Sequence, residues 1–306
     1  MSQAFIGAGG WGYFSGGLEA YASGFRFVEV NASFYRPIPE TYARGWRARV
    51  PPDFVFALKA NRVVSHQGRL QASPRARAAF AHDLRTARIL ASPFVILETP
   101  PGLSLGSAEA AGLRDLVALA GPGIRIGLEA RAHRQGPLPE ALARTMVDAG
   151  ILDVVDFSQT APRIPDDVVY TRLFGPGPHN VYQFDDDEIL AIDRAAGDSV
   201  RAAFAFHGVR MYQDAARFLT FKKTGAFPPA TPGRGLASIE DALRPDARFP
   251  SSRDELVRTQ GWKVIDSDGG TQTHASRVLG TLPERLYEDL RDVLSELETH
   301  RSEISV

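Results

Sequence analysis

The sequence contains no cysteine. That absence removes disulfides, thiolate metal sites, iron–sulfur clusters and cysteine nucleophiles together, and it permits a reducing compartment. An excess of one charge is missing as well, since the formal net charge is -1 and the pI is near 6.7. A general polyanion binder carries a basic surplus, so nucleic acid is not the favoured partner. No stretch approaches the roughly 20 apolar residues that span a bilayer, and no membrane partner is expected. The opening MSQAFIGAGGWGYF lacks a basic segment followed by an apolar run and a small-residue cleavage site. It does not read as a signal peptide, and a cytoplasmic location is expected. Gly7, Gly9, Gly10 and Gly12 miss the dinucleotide fingerprint because no helix pattern opens behind them. No nucleotide cofactor or haem is therefore expected. A serine nucleophile elbow, a P-loop and zinc-finger spacing are absent too, which disfavours those reaction classes.

What is present is alternation. With 306 residues the chain can bury a substantial core. Short apolar runs that end in polar residues recur, each followed by sequence of helical spacing. The stretch FRFVEVNASFYRP is the clearest: Phe27, Val28 and Val30 read as a buried strand that empties into Glu29, Asn31, Tyr35 and Arg36. PPDFVFALKAN ends in Lys59, SPFVILETPPG in Glu98, IRIGLEARAH in Glu129, LDVVDFSQ in Asp156, VVYTRLFG near Arg172 and VRAAFAFHG in His207. Ser73 before Pro74 and Ser107 read as helix caps, and Gly150 as a helix stop. No clear helix separates Asp156 from the strand of Arg172. About eight strands between residues 3 and 207 predict an α/β fold, a compact (β/α)8 TIM barrel over residues 1–228. The Pro/Gly-rich residues 229–237 read as a linker. Residues 238–306 read as a small all-helical accessory domain.

In a barrel of this kind the carboxyl ends of the strands converge on one mouth. Glu29, Lys59, Glu129 and Arg172 are the candidate catalytic residues there. Glu98, Glu129, Asp156 and His207 form a set that a divalent cation such as magnesium, manganese or zinc accepts. The alternative is a structural network in which these acids pair with neighbouring bases. Lys59, Arg131 and Arg172 can gather an anionic group, or can merely compensate the glutamates. Alternation places Glu29 and Asn31 on one side of their strand. Glu29 with Arg36 as a buried ion pair is the competing structural reading. Trp11, Asn31, Tyr35, Arg36, His66 and Arg131 complete the candidate substrate contacts, the aromatics serving equally well as packing caps.

The ordered segments IGAGGWGYF, VEVNASFYR with Trp46 downstream, FVFALKAN with His66 behind it, LETPPG, LEAR, VVDFSQ and VYTRLFG resemble the motifs of the YecE-like family, domain of unknown function 72. The resemblance covers roughly residues 4 to 225. It implies a TIM barrel grouped with sugar-isomerase-related proteins. Family members usually carry glutamine at the position of Glu98, histidine at Phe174 and two asparagines at His207 and Gly208. Those departures imply a changed substrate or a lost activity. The tail, FPSSRDELV through LGTLPERLYEDLRDVLSEL, resembles a small helical module, domain of unknown function 2795. The resulting expectation is an enzyme acting on a small polar, sugar-like or phosphorylated substrate by acid/base chemistry. The alternative is a non-catalytic ligand-binding or scaffold protein whose helical tail recruits a protein partner.

Overall fold

A computed structural model describes residues 3–299. Eight strands, β1 Gln3–Ala8, β2 Phe27–Val30, β3 Val55–Lys59, β4 Phe94–Glu98, β5 Arg125–Glu129, β6 Leu152–Asp153, β7 Val168–Leu173 and β8 Arg201–Phe206, form one parallel sheet in the order β6-β5-β4-β3-β2-β1-β8-β7. The first strand pairs with the last over six residues, from Gln3 with Arg201 to Ala8 with Phe206. The outer strands meet through the bridge of Val155 to Thr171, reinforced by the Arg172 N–H donating to the Val155 carbonyl at 3.3 Å. The sheet thereby closes as the expected barrel.

The strands are short and apolar on both faces because one face lines the interior and the other lies under the helices. Phe27, Ala57, Phe94, Ile96, Leu152, Val154, Val168, Tyr170, Ala203 and Ala205 fill the interior. Gly127 is needed at the narrow wall between β4 and β6, where an added Cβ would lie 2.6 Å from Val154 Cγ2 and 2.9 Å from Ile96 Cδ1. Helices follow the strands, among them Pro74–Ile89, Ser107–Val117, Glu140–Asp148 and Met211–Thr224. The segment between β6 and β7 carries no helix, as its proline-bearing sequence predicts. Ser73 caps its helix through the Ala76 N–H at 3.2 Å with Pro74 in the first turn. Ser107 does not act as a cap. It is already helical, and Glu109 instead reaches back to the Gly106 N–H at 2.9 Å. Gly150, at φ +61°, ends the helix before it, as expected.

By compactness the chain divides into two units. Of the described residues the first holds 3–173, 192–207 and 211–216; the second holds 174–191, 208–210 and 217–299, and so takes up sequence on both sides of the 229–237 stretch. The second unit has its own core, built on Ile239, Leu243, Leu256, Ile265, Leu279, Tyr287, Val293 and Leu297. Its helices include Leu236–Leu243, Arg253–Gln260 and Leu290–Thr299. It also contains two antiparallel ladders absent from the sequence expectation: β9 Ser251–Ser252 pairs with β12 Leu286–Tyr287, and β10 Val264–Asp266 with β11 Gln272–His274. Ladders of two or three residues are too short to show a period of two. Among the described residues no helix is long and apolar enough to cross a membrane.

Candidate functional site

The period of two that builds the barrel interior also builds its mouth. Phe27, Ala57, Ile96, Tyr170 and Ala205 face inward, so the residues two positions on, Glu29, Lys59, Glu98, Arg172 and His207, face inward one layer higher. Glu129 stands above Gly127 in the same way. Six ionisable side chains from six different strands or strand ends thus share one layer where a barrel normally has aliphatic packing.

Arg172 organises that layer. Its side chain is 2% exposed and its guanidinium meets three carboxylates: Nη2 lies 3.1 Å from Glu29 Oε1, and Nη1 bonds Glu98 Oε2 and Glu129 Oε2. The planar fork suits this sharing better than an ammonium would. Lys59 Nζ lies 2.8 Å from Glu98 Oε2 and 3.9 Å from the centre of the Phe34 ring. Arg131 contacts Glu98 Oε1 at 3.3 Å, and Arg134 contacts Glu129 Oε1 at 2.8 Å. Glu29, fully buried, receives the Tyr170 hydroxyl at 2.8 Å and faces His207 Nε2 at 3.4 Å. Asn31 donates to the Gly9 carbonyl at 2.8 Å, and Gly9 leaves room for the His207 ring, whose Nδ1 an added Cβ would approach to 2.2 Å.

The charges set one another's protonation. Burial alone pushes the Glu29 carboxyl up, but Arg172, then His207 and Lys59, overcome it and hold Glu29 well below the usual carboxylate range. Glu98 experiences the same opposition of burial against Arg172 and Lys59 and is held down to about 2. Burial and then Arg172 lower Lys59, against the pull of Glu98 and Glu29. Burial and then Arg172 likewise lower His207, against Glu29. Arg172 is raised, because its three glutamates outweigh its desolvation.

Beside this layer a cavity of about 310 Å3 opens, lined among others by Glu129, Arg134, Asp156, Gln159, Thr160 and Arg163. Asp156 receives the Ser158 hydroxyl at 2.6 Å and the Gln159 amide at 3.0 Å. Arg163 is fixed by Asp153, donating from Nε at 2.9 Å and from Nη2 at 2.5 Å.

Most of the sequence candidates therefore meet. Glu29, Asn31, Lys59, Glu98, Glu129, Arg131, Arg172 and His207 belong to one network, and Asp156 joins Glu129 at the cavity. His66 stands edge-on to Phe34 at 4.9 Å, on a π-helix, Val63–Gln67, that runs into the left-handed residues Arg69 and Leu70. Burial lowers His66, against Glu98. Trp11 packs edge-on to Trp46 at 5.1 Å and to Phe56 at 6.4 Å. Tyr35 and Arg36 are exposed. The partner of Glu29 is Arg172 from across the barrel, which corrects the Glu29–Arg36 pair. Sequence reasoning missed Tyr170, although it lies two residues before Arg172 on the same face of β7. It also missed Arg134, a loop residue that no periodic signal marks.

The divalent-metal set is distributed as follows. Glu98 and Glu129 share the Arg172 guanidinium, Asp156 holds Ser158 and Gln159, and His207 faces Glu29. A cation at Glu98 and Glu129 would have to displace Arg172. Among the described residues, ligand atoms of Asp185, Glu188 and His274, in the second unit, lie within 4.8 Å of one another.

A family model described as "Protein of unknown function DUF72" matches residues 14–220, a span that contains the whole network. The chain belongs to the DUF72 family. Among curated proteins none matches it. Two solved DUF72 structures are similar. The protein EF0366 from Enterococcus faecalis V583 has 16% identity and a TM-score of 0.58, over 74% of this chain and 99% of its own. The protein TM1631 from Thermotoga maritima MSB8 has 17% identity and a TM-score of 0.55, over 72% of this chain and 98% of its own. At these identities the likeness is one of fold, and the DUF72 barrel is the part shared. At Gly208 an added Cβ would lie 3.2 Å from the Tyr182 carbonyl oxygen and 3.3 Å from that of Asn180.

Proposed function

We propose that the barrel mouth is the active site of an enzyme that moves protons on a small polar substrate of the sugar or sugar-phosphate class. One observation carries the reading: a buried layer of ionisable groups at the strand ends opens, through Glu129, onto a cavity of about 310 Å3 of mixed polar and apolar lining. Structural ion pairs alone do not require a cavity beside them. The cavity is within the range that a small ligand fills, and its wall offers acceptors at Glu129 and Asp156 and donors at Arg134 and Arg163 beside apolar Ala130, Val154 and Val155.

The groups divide by what they can exchange near neutral pH. Glu29 and Glu98 stay ionised and hold Arg172 and Lys59 in place. His207 stays neutral, a proton acceptor fixed by Glu29. Glu129 and Asp156 line the cavity and are the carboxylates that face substrate. Arg134 and Arg163, also on its wall, hold anionic or hydroxyl oxygens. The chemistry supported is abstraction and return of a proton between adjacent carbons or oxygens, with cations stabilising the charge that develops.

The test is solvent deuterium exchange followed by NMR across aldoses, ketoses and their phosphates, beside thermal-shift measurements with the same compounds. At least one compound should both stabilise the protein and exchange, and Glu129→Gln and Asp156→Asn should each reduce exchange at least 100-fold. Stabilisation without exchange would establish binding without turnover. If no compound stabilises or exchanges, the assignment of the mouth to this substrate class fails.

A further inference from the structure

The second unit contains a group of side chains that the barrel mouth does not use. Asp185 and Glu188 flank the first turn of the helix Asp186–Ala195 and bond each other's backbone: the Asp185 N–H donates to Glu188 Oε2 at 2.9 Å, and the Glu188 N–H donates to Asp185 Oδ1 at 2.9 Å. This reciprocal cap fixes both carboxylates on one side of the turn. The Tyr182 hydroxyl donates to the other Glu188 oxygen. A cap needs nothing more, and were this the whole arrangement it would be a helix terminus and no site.

His274 is the independent observation. It comes from a distant part of the chain, at the end of β11, where pairing with Val264 sets its position. Its Nε2 lies 3.0 Å from the Gln183 carbonyl oxygen. A carbonyl only accepts, so Nε2 carries the hydrogen and the lone pair of the neutral ring is on Nδ1. That nitrogen faces Asp185 Oδ2 at 3.9 Å, beyond hydrogen-bond reach, while Glu188 Oε2 lies 3.8 Å from Nε2 on the other side of the ring. Two electron-pair donors thus confront each other across a gap that a metal bonded to both, at roughly 2.0–2.2 Å each, would span. The carbonyl behind the imidazole is the outer partner that metal-binding histidines characteristically have.

We propose that Asp185, Glu188 and His274 bind one divalent transition-metal ion, zinc before manganese. One imidazole and two carboxylates form a borderline-to-hard donor set, which zinc accepts and which lacks the oxygen-only character that magnesium and calcium prefer. Three protein ligands leave a coordination position for water. The local charge supports the assignment. Asp185, Asp186, Asp187 and Glu188 are four consecutive acids, of which Asp186 is matched by Arg217. His274 lies outside the span that the family model matches, while Asp185 and Glu188 lie within it. The ion would therefore join the family region to this chain's own tail.

The test uses tag-free, full-length protein stripped with a chelator and titrated with zinc and then manganese, by calorimetry and by competition with a zinc-binding dye. One zinc per chain is expected, with affinity at least tenfold above that for manganese. Added zinc should raise the melting temperature. His274→Ala should melt like the stripped native protein, yet lose at least 100-fold in zinc affinity and lose the zinc-dependent rise. Glu188→Gln, which keeps the length and an oxygen acceptor, should lose affinity as well. Cobalt should give the visible absorption of a nitrogen- and oxygen-ligated centre in the native protein but not in the His274 variant. Absence of stoichiometric binding, or binding unchanged in both variants, would overturn the assignment. Should His274→Ala fail to fold, the Glu188→Gln titration and the cobalt spectrum decide.

Discussion

Arg172→Leu is the most informative perturbation of the barrel, because one side chain neutralises three buried carboxylates. In its absence Glu29, Glu98 and Glu129 surround an aliphatic group, with Lys59, Arg131, Arg134, His207 and the Tyr170 hydroxyl left to face them. Removing one partner from a buried ionic network costs about 3–5 kcal/mol. For a domain of this size each kcal/mol lowers the melting temperature by roughly 2–4 °C, so a fall of about 6–20 °C is expected at pH 7.5. The pH dependence identifies the cause. In the native protein Glu98 is held down to about 2 and Glu29 further. Folded values below the unfolded ones give stability that is complete above the unfolded carboxylate range and is lost only as the pH falls through the folded values. These two groups therefore leave native stability flat between pH 5 and 8. In the variant the largest lowering charge is gone, with Lys59 and His207 remaining, and burial gains weight, so the carboxyls rise above their unfolded values. Their protonated forms then favour folding, and stability is lost as the pH rises through the new folded values. The deficit of Arg172→Leu should shrink steadily from pH 8 to pH 5, measured by thermal or urea melts of both proteins in matched buffers. Native-like melting at pH 7.5, or a deficit that acid does not reduce, would refute the reasoning.

Asp83 gives the opposite sign in the native protein. It is buried with the Asn61 N–H donating to it at 2.8 Å, and desolvation raises its carboxyl to about 7 from 3.8. Asp83→Asn should stabilise increasingly as the pH rises from 4 to 7, with an upper bound of about 4 kcal/mol; urea titrations at pH 5 and 8 showing no difference in the gain would rule this out. Gly9→Ala should lose about 1–3 kcal/mol by driving its Cβ into the His207 ring. Most of that loss should return in Gly9→Ala/His207→Ala, and a double variant whose melting loss is the sum of the two singles would show that the ring is not what the methyl meets.

The barrel was legible because two signals coincide in it. Each strand is an apolar run stopped by a polar residue, and in a closed parallel barrel that stop is both the end of packing and the start of the mouth. The same period of two that puts Phe27 in the core puts Glu29 above it, so the inward layer followed from the sequence once the strands were placed. Tyr170 is equally available by this rule, but nothing in an aromatic inside an apolar strand separates a hydroxyl that serves a carboxylate from a ring that only packs. Other features leave no periodic trace. Arg134 reaches Glu129 from a loop, the ladders β9–β12 and β10–β11 are two or three residues long, and the cap at Gly106 rests on a side chain reaching back from Glu109.

Partner choice is where sequence proximity misleads. Arg36 is the first cation after Glu29 along the chain, but its strand has already ended and its side chain faces solvent. Arg172 is distant in sequence, and barrel closure brings β7 opposite β2, so the guanidinium reaches Glu29 through the interior. Three glutamates at one mouth would repel one another as anions or neutralise by protonation. A central guanidinium removes both outcomes, since it keeps Glu29 and Glu98 charged and fixes the distance between them. Lys59 and His207, both with lowered affinity for protons, are the groups of this layer that the guanidinium does not hold charged. Arg172 is thus a positioning residue for the chemistry proposed here. A charge-preserving Arg172→Lys should recover part of the lost stability, because it restores a cation, without recovering exchange, because a single ammonium cannot span all three carboxylates. Recovery of both together would mean that only the charge at this position matters, and that the planar geometry does not.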